Sequence, residues 1–199
     1  MDAQTWNERY AQPGFIYGTL PNFYFEQSLR RMKPGTLLLP AEGEGRNAVF
    51  AASLGWDVYA FDQSEIARNK ALGLAARQMV KMDYRVGDVM EIDYPGKSFS
   101  CIAMIFLHLP ASFRTLAFRR LSGFLEPGGY LILEAFSKKH FGNTHSGPKT
   151  MELLYDSHEI RNDLEFLDFV EFYETSCELD EGPLHQGAAE VIRLLARKL

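Results

Sequence analysis

The chain has 199 residues, of which 46% are hydrophobic and 24% charged, and its net charge is −5. That length and balance describe one globular domain, able to bury a core without disulfide or metal staples, and exclude a disordered or fibrous chain. The acidic surplus argues against nucleic acid or an anionic membrane as partner, because both are drawn to basic surfaces.

Cys101 and Cys177 stand alone, with no C-x-x-C pair and no His at metal-ligand spacing. Neither a disulfide framework nor a metal site is expected, and a reducing, cytoplasmic setting fits. The stretch Met1–Tyr10 has no basic and apolar regions of a secretory signal, and no run reaches the roughly 18 apolar residues of a membrane span.

In chain order, residues 3–31 read as a mostly helical lead-in broken by Pro13-Gly14, Gly18 and Pro21. Thr36–Leu39 reads as a buried strand that enters Glu42-Gly43-Glu44-Gly45. A small-residue helix follows over about 47–54, stopped by Gly55. Asp57–Asp62 is a strand ending in an acid, and Ser64 caps a helix that runs to about Met79. Asp83–Val86 is a short strand, and Phe99–Leu107 a near-continuous apolar one. Pro110 is placed in the first turn of the next helix, whose apolar face is Phe113, Leu116, Ala117 and Leu121. Pro127-Gly128-Gly129 turns into the strand Tyr130–Ala135, and 136–150 is the one long loop. Asp156-Ser157-His158-Glu159 has the form of a capping box opening a short helix. Runs over about 166–178 and 189–197 read as strands joined by a turn at Asp180–Pro183. Strands alternating with helices predict an α/β, mostly parallel sheet covered on both faces. The closing strand–turn–strand has no helix between its strands, so the sheet finishes antiparallel.

Gly43-Glu44-Gly45-Arg46-Asn47-Ala48 matches G-x-G-x-x-G/A between a strand and a helix, and Asp62 lies 19 residues past Gly43. At that spacing a carboxylate reaches ribose hydroxyls while the glycines let the backbone approach the ligand. A dinucleotide would set a pyrophosphate beside Glu42 and Glu44, where two like charges repel by about 4 kcal/mol at an effective dielectric near 20. S-adenosylmethionine has no phosphate and carries a sulfonium, so the loop favours it if either glutamate points inward. Gly87-Asp88-Val89, after the third strand, offers a carboxylate for an adenine amino group and a backbone N–H for a ring nitrogen.

With these features the sequence resembles the class I S-adenosylmethionine-dependent methyltransferases over nearly its whole length, most of all the tellurite-resistance (TehB-like) branch. The resemblance rests on Leu37–Asn47, Val58–Asp62, Val86–Val89, Phe99–Pro110, Leu125–Glu134, the Gly-Arg-Asn at 45–47 and the late Leu184-His185. It implies a three-layer, Rossmann-like fold with a seven-stranded sheet whose last strand is antiparallel. It also divides the chain into an N-terminal lead-in or lid (1–33), a cofactor-binding core (34–135) and an acceptor-side loop with terminal strands (136–199). By position, Glu42, Gly43, Glu44, Gly45 and Asn47 form the methionine-side loop. Asp62, with Gln63 and Ser64, holds the ribose, Gly87, Asp88 and Val89 hold the adenine, and Phe106 lines the wall under the sulfonium. Trp6, Tyr10, Phe15 and Tyr17 are lid candidates, with Arg9 beside them for the methionine carboxylate. Two departures stand out. The usual acid ending the first strand is Leu39 and the first loop glycine is Ala41. Gln186 follows the late His where that branch has Arg, which removes a clamp for an oxyanion.

Methyl transfer needs alignment of nucleophile and methyl, exclusion of water and, for a thiol, amine or hydroxyl, a base. His185 is the first candidate for base or orienting group and His108 the second, with Glu134 and the 136–150 loop at the same sheet edge. His140, His145 and His158 are read as without a role. The expected enzyme transfers a methyl group to a small molecule, such as a thiol or chalcogen oxyanion, as a monomer or homodimer. Two alternatives remain open: an NAD(P)-dependent oxidoreductase, from the G-x-G-x-x-A match, and a non-catalytic S-adenosylmethionine-binding protein, from Leu39 and Ala41.

Overall fold

A computed structural model describes residues 2–199. The elements are α1 (Ala3–Tyr10), α2 (Phe23–Arg30), β1 (Thr36–Pro40), α3 (Arg46–Ser53), β2 (Asp57–Asp62), α4 (Glu65–Arg77), β3 (Asp83–Val86), β4 (Phe99–Ile105), α5 (Ala111–Gly123), β5 (Leu125–Phe136), α6 (Ser157–Asp163), β6 (Asp168–Asp180) and β7 (Gln186–Arg197). Short 3-10 turns at Lys138–His140 and Met151–Leu153 interrupt the long loop.

The seven strands lie in one sheet ordered β3-β2-β1-β4-β5-β7-β6. β1 to β5 are parallel where they pair, and β7 runs antiparallel between β5 and β6. Leu37, Leu38 and Leu39 are fully buried because β1 is covered on both faces. Leu37 and Leu39 pack with Phe25 and Leu29 of α2, Ala48 and Ala51 of α3 and Ala71 of α4. Leu38 points the other way, into a core with Phe118 and Leu121 of α5 and Ile160 of α6. This alternation makes three layers.

Helix starts follow the capping chemistry of the sequence. The Ser64 hydroxyl accepts from Ala67 N–H, Asn22 from Phe25 N–H, and Asp156 from His158 and Glu159 N–H. Pro110 is the N-cap of α5, one position earlier than expected. The apolar face of α5 also differs from expectation. Phe113 and Leu116 are exposed, and Arg114, Ala117, Phe118 and Leu121 face inward. Arg114 hid that face from a hydrophobic pattern: its guanidinium is buried against Asp163 at 2.6 Å and Glu159 at 3.1 Å, over the Tyr155 ring.

β6 pairs antiparallel with β7, which pairs antiparallel with β5, so β5 and β6 run in the same direction. The turn that follows β6 therefore lies at the same sheet edge as the loops leaving β1, β2, β3, β4 and β5. The order reverses between β1 and β4, and open α/β sheets form a crevice at such a point.

Candidate cofactor and acceptor site

The loop after β1 is a series of left-handed residues, Ala41 (φ 50°), Gly43 (φ 64°) and Gly45 (φ 89°), with Phe106 (φ 54°) after β4 beside it. Left-handed backbone at Ala41 and Phe106 costs roughly 1–2 kcal/mol each, the kind of strain that persists where a site requires it. Gly45 cannot be replaced without moving helices, since a Cβ there would come within 2.6 Å of Ala71. Asp62 ties the neighbouring loops together. Its Oδ2 accepts from Gly43 N–H at 3.0 Å and its Oδ1 from Ser64 N–H at 2.9 Å. Burial still pushes its carboxyl up to about 6, against those hydrogen bonds.

The two loop glutamates do not face an incoming ligand. Glu42 turns under the loop and accepts from Asn47 and Ala48 N–H, both at 2.8 Å, at the N-terminus of α3. Burial pushes it up to about 7 despite those bonds. Glu44 accepts from Ile16 N–H at 2.8 Å and Tyr17 N–H at 3.3 Å and pairs with Lys70 at 2.8 Å. Both carboxylates are satisfied by the chain itself, so the repulsion expected toward a pyrophosphate does not discriminate between cofactors. Side-chain direction, which no spacing encodes, decides this.

Further along the edge, Gln63 Nε2 donates to Asp88 Oδ2 at 3.0 Å, and Asp88 Oδ1 accepts from Met90 N–H at 2.8 Å. Gly87 N–H donates to Asp62 O at 2.9 Å, and Val89 is buried. The N-terminal segment roofs the loop. Asn7 accepts from the Ser64 hydroxyl at 2.6 Å, and Tyr10 lies so close over Gly43 that a Cβ there would meet its hydroxyl at 2.6 Å. Arg9 stacks on Trp6 and donates to the Tyr17 hydroxyl at 3.3 Å.

The other half of the edge is a box of rings. His185 sits 4.6 Å from Tyr17, 4.5 Å from Phe106 and 5.5 Å from Phe136, measured between ring centroids. Its Nδ1 is 3.5 Å from Glu181, too far for a hydrogen bond. Burial lowers the His185 pKa, with Arg46 nearby acting in the same direction and Glu181 opposing, so the ring is neutral near pH 7. Burial would raise Glu181, but its bond to Arg46 and the nearby His185 ring outweigh that and hold it down to about 2.

His108 is placed beside this box, but both its ring nitrogens are engaged: Nδ1 with Leu153 O at 2.7 Å, Nε2 with Phe136 N–H at 3.4 Å. Burial pushes its pKa down to about 3. That arrangement leaves no ring nitrogen free to move a proton. His140 is engaged in the same way, by Ser146 O and Glu190 N–H. Glu134 is fully buried between Asn22 Nδ2 at 2.6 Å and Arg193 Nε at 2.5 Å.

Sequence reasoning missed the residues that join these parts. Asn22 Nδ2 donates to both Glu134 and Glu181, and Asn22 N–H donates to Asn47 Oδ1 at 2.9 Å. Arg46 Nη2 pairs with Glu181 at 2.7 Å, both side chains being at least nine-tenths buried. Its Nη1 is buried with no partner among the described residues, as is His185 Nδ1. An unpaired buried donor costs roughly 1–3 kcal/mol, more when charged. The one available signal was the spacing of Glu181 and His185 by four residues across a turn.

S-adenosylmethionine fits these residues. Asp62 is a buried carboxylate with one backbone donor on each oxygen, and ribose hydroxyls would add to these. The orphaned Arg46 Nη1 and the uncompensated ring of His185 are further polar groups that lack partners within the chain.

Comparison with known proteins agrees with this reading. Residues 40–129 match the family described as a methyltransferase domain. No curated protein matches the chain in sequence. Among solved structures, TehB from Haemophilus influenzae superposes with a TM-score of 0.73 at 16% identity, covering 99% of this chain and 67% of that one. Magnesium protoporphyrin IX methyltransferase (ChlM) from Synechocystis PCC 6803, with S-adenosylhomocysteine bound, gives 0.67 at 16% identity, over 98% and 94%. The [4+2]-cyclase SpnF gives 0.72 at 16% identity, over 98% and 94%. At such identities the likeness is one of fold. Residues 40–129 thus resemble a methyltransferase domain, and nearly the whole chain has the fold of the S-adenosylmethionine-dependent methyltransferases. TehB, the branch that the sequence resembles, is among the matched structures.

Proposed function

We propose that the protein methylates a small-molecule acceptor whose reacting atom lies in the ring box of Tyr17, Phe106 and Phe136, beside His185. The supporting observation is the burial of His185 among the rings with its Nδ1 facing the Glu181 carboxylate 3.5 Å away. The cofactor, when bound, supplies an electrophilic methyl group. The chain holds the two reactants in line and keeps water out. With Nδ1 turned to Glu181, the Nε2 of His185 takes the proton of the acceptor, and the carboxylate stabilises the resulting imidazolium. Asp62 holds the ribose, with Gln63 and Ser64 beside it. Gly87, Asp88 and Val89 hold the adenine, and Gly43–Gly45 and Asn47 line the methionine side. Glu42 sets the N-terminus of α3, and Glu44 fastens the roof.

Residues 3–20 act as the lid in this reading, since Tyr10 and Tyr17 lie over the loop and the ring box. Rings packed closely about His185 suit a compact acceptor, a thiol or a chalcogen oxyanion among them. The test is His185→Gln, assayed by S-adenosylhomocysteine formation over a panel of thiols, selenite and phenols, with calorimetry of S-adenosylhomocysteine binding alongside. Turnover is expected to fall about 100- to 10,000-fold with affinity for the product held within about threefold. Unchanged turnover, or transfer to none of the acceptors by the wild type, contradicts the proposal.

A further inference from the structure

We propose that the free edge of β6 binds an extended peptide in which apolar and basic residues alternate. The proposal goes beyond methyl transfer and does not depend on His185.

β6 ends the sheet, so its outer row of N–H and C=O groups pairs with no other strand. Such a row is a template for an incoming strand, and soluble proteins commonly blunt it by shortness, proline, lysine or a bulge. β6 runs for 13 residues. Its one bulge lies near the start, between Phe169 and Glu171, and Glu171–Asp180 contains neither proline nor lysine.

The register with β7 sorts the two faces of this edge. Tyr173, Cys177 and Leu179 share the face on which Arg193 and Val191 lie beside Glu134 and Phe136 of β5, and Tyr173 meets Tyr24 of α2 there, 6.3 Å between ring centroids. On that face a groove of about 520 Å³ opens between β6 and the start of α2, with Leu20, Phe23, Cys177 and Leu179 among its lining. Its charged residues are already satisfied within the chain, Glu26 by Arg30, Arg193 by Glu134 and Glu181 by Arg46. What the groove offers a ligand is therefore apolar. Leu20 is 73% exposed and Phe23 57%, and large apolar side chains grouped in the open mark a binding surface.

The opposite face of the same edge is acidic. Glu174, Glu178 and Asp180 alternate with the groove residues; Glu174 pairs with Lys139, while Glu178 and Asp180 are exposed and in no ion pair among the described residues. A strand added to β6 alternates with the same period, so every second side chain enters the groove and the others stand beside carboxylates. Main-chain bonds supply affinity in this mode and the alternate side chains supply specificity, here apolar on one face and Lys or Arg on the other. A second copy of this chain is a poor occupant, because pairing β6 with itself sets these carboxylates against their duplicates.

The test is fluorescence anisotropy with a labelled peptide of alternating lysine and valine, compared with glutamate–valine and lysine–serine peptides. The lysine–valine peptide should bind at least about 10-fold more tightly than either, and should weaken with salt. The double variant Glu178→Gln, Asp180→Asn should bind it about 3- to 10-fold less tightly and flatten the salt dependence. Phe23→Ser should cost about 10-fold. Strand addition has its own signature: N–H groups of alternate residues point to opposite edges, so N-methylation of either the valines or the lysines, but not both, should abolish binding. Changes confined to the peptide keep the test available if a variant does not fold. Binding by none of the peptides, equal binding of the lysine–valine and glutamate–valine peptides, binding that neither N-methylated set disturbs, or a dimer of the chain in sedimentation that Phe23→Ser disperses, overturns the proposal.

Discussion

On the cofactor side of the edge, Asp62 finds its partners 19 residues back at Gly43 and two residues on at Ser64. On the acceptor side, Asn22 reaches Glu134 and Glu181 across 112 and 159 residues. The first set is assembled by one strand–helix–strand unit and involves backbone N–H groups that form with the loop itself. The second exists only when the N-terminal segment, β5 and the β6–β7 turn have all docked. Charge follows the same division. Burial raises Glu42 and Asp62 on the cofactor side with no ion pair to oppose it, whereas each acceptor-side carboxylate is paired with an arginine, Glu134 (itself raised by burial) with Arg193 and Glu181 with Arg46. A substitution on the first side should therefore weaken a ligand, and one on the second should weaken the fold as well.

The largest effect expected from this contrast is on stability. Glu181→Ala strands the Arg46 charge and should lower the free energy of urea unfolding by about 3–5 kcal/mol. A loss below about 1 kcal/mol would mean that Arg46 finds another partner, and the distinction between the two sides would fail. The pH dependence of stability comes next. Glu42 rises from 4.5 to about 7 on folding, so its folded form binds the proton more tightly. The stability it contributes is complete below about pH 4.5 and is lost as pH rises through 7, up to about 3 kcal/mol. Glu181 falls from 4.5 to about 2, so its contribution is complete above pH 4.5 and is lost on acidification. Thermal melts without ligand should thus fall from pH 5 to 8, and Glu42→Gln should flatten that fall while leaving the acid limb. An unchanged slope in the variant would remove Glu42 from the account.

Smaller effects belong to the ligand. Asp62→Asn should weaken S-adenosylhomocysteine about 10- to 100-fold by calorimetry, through lost charge-assisted bonds to ribose and a loosened Gly43. Asp88→Ala should cost about 1 kcal/mol of the same affinity, since Asp88 is part-buried and shares its charge with Gln63 and Met90. If Asp88 proved the more costly of the two, the ribose and adenine assignments would need exchanging.

The division also explains what could be read from the sequence. The strand and helix order and the Ser64 cap are local patterns, and the structure places them as expected, while the spacing of Gly43 to Asp62 brings the two into a hydrogen bond. On α5, Ala117 and Leu121 face inward as expected, but Phe113 and Leu116 do not, because Arg114 occupies a core-facing position that a hydrophobic pattern treats as solvent. The direction of Glu42 is set by the free N–H groups of α3, which a G-x-G match does not report. Asn22, Glu134 and Glu181 carry no periodic signal linking them, because their meeting depends on which loops share a sheet edge.

The most direct measurement of the central claim is a crystal structure with S-adenosylhomocysteine. The account predicts the ribose on Asp62, the adenine beside Asp88 and Val89, and the sulfur facing the box of His185, Phe106 and Tyr17. A ligand with its sulfur turned away from His185, or Tyr10 and Tyr17 still filling that space with the compound bound elsewhere, would contradict it.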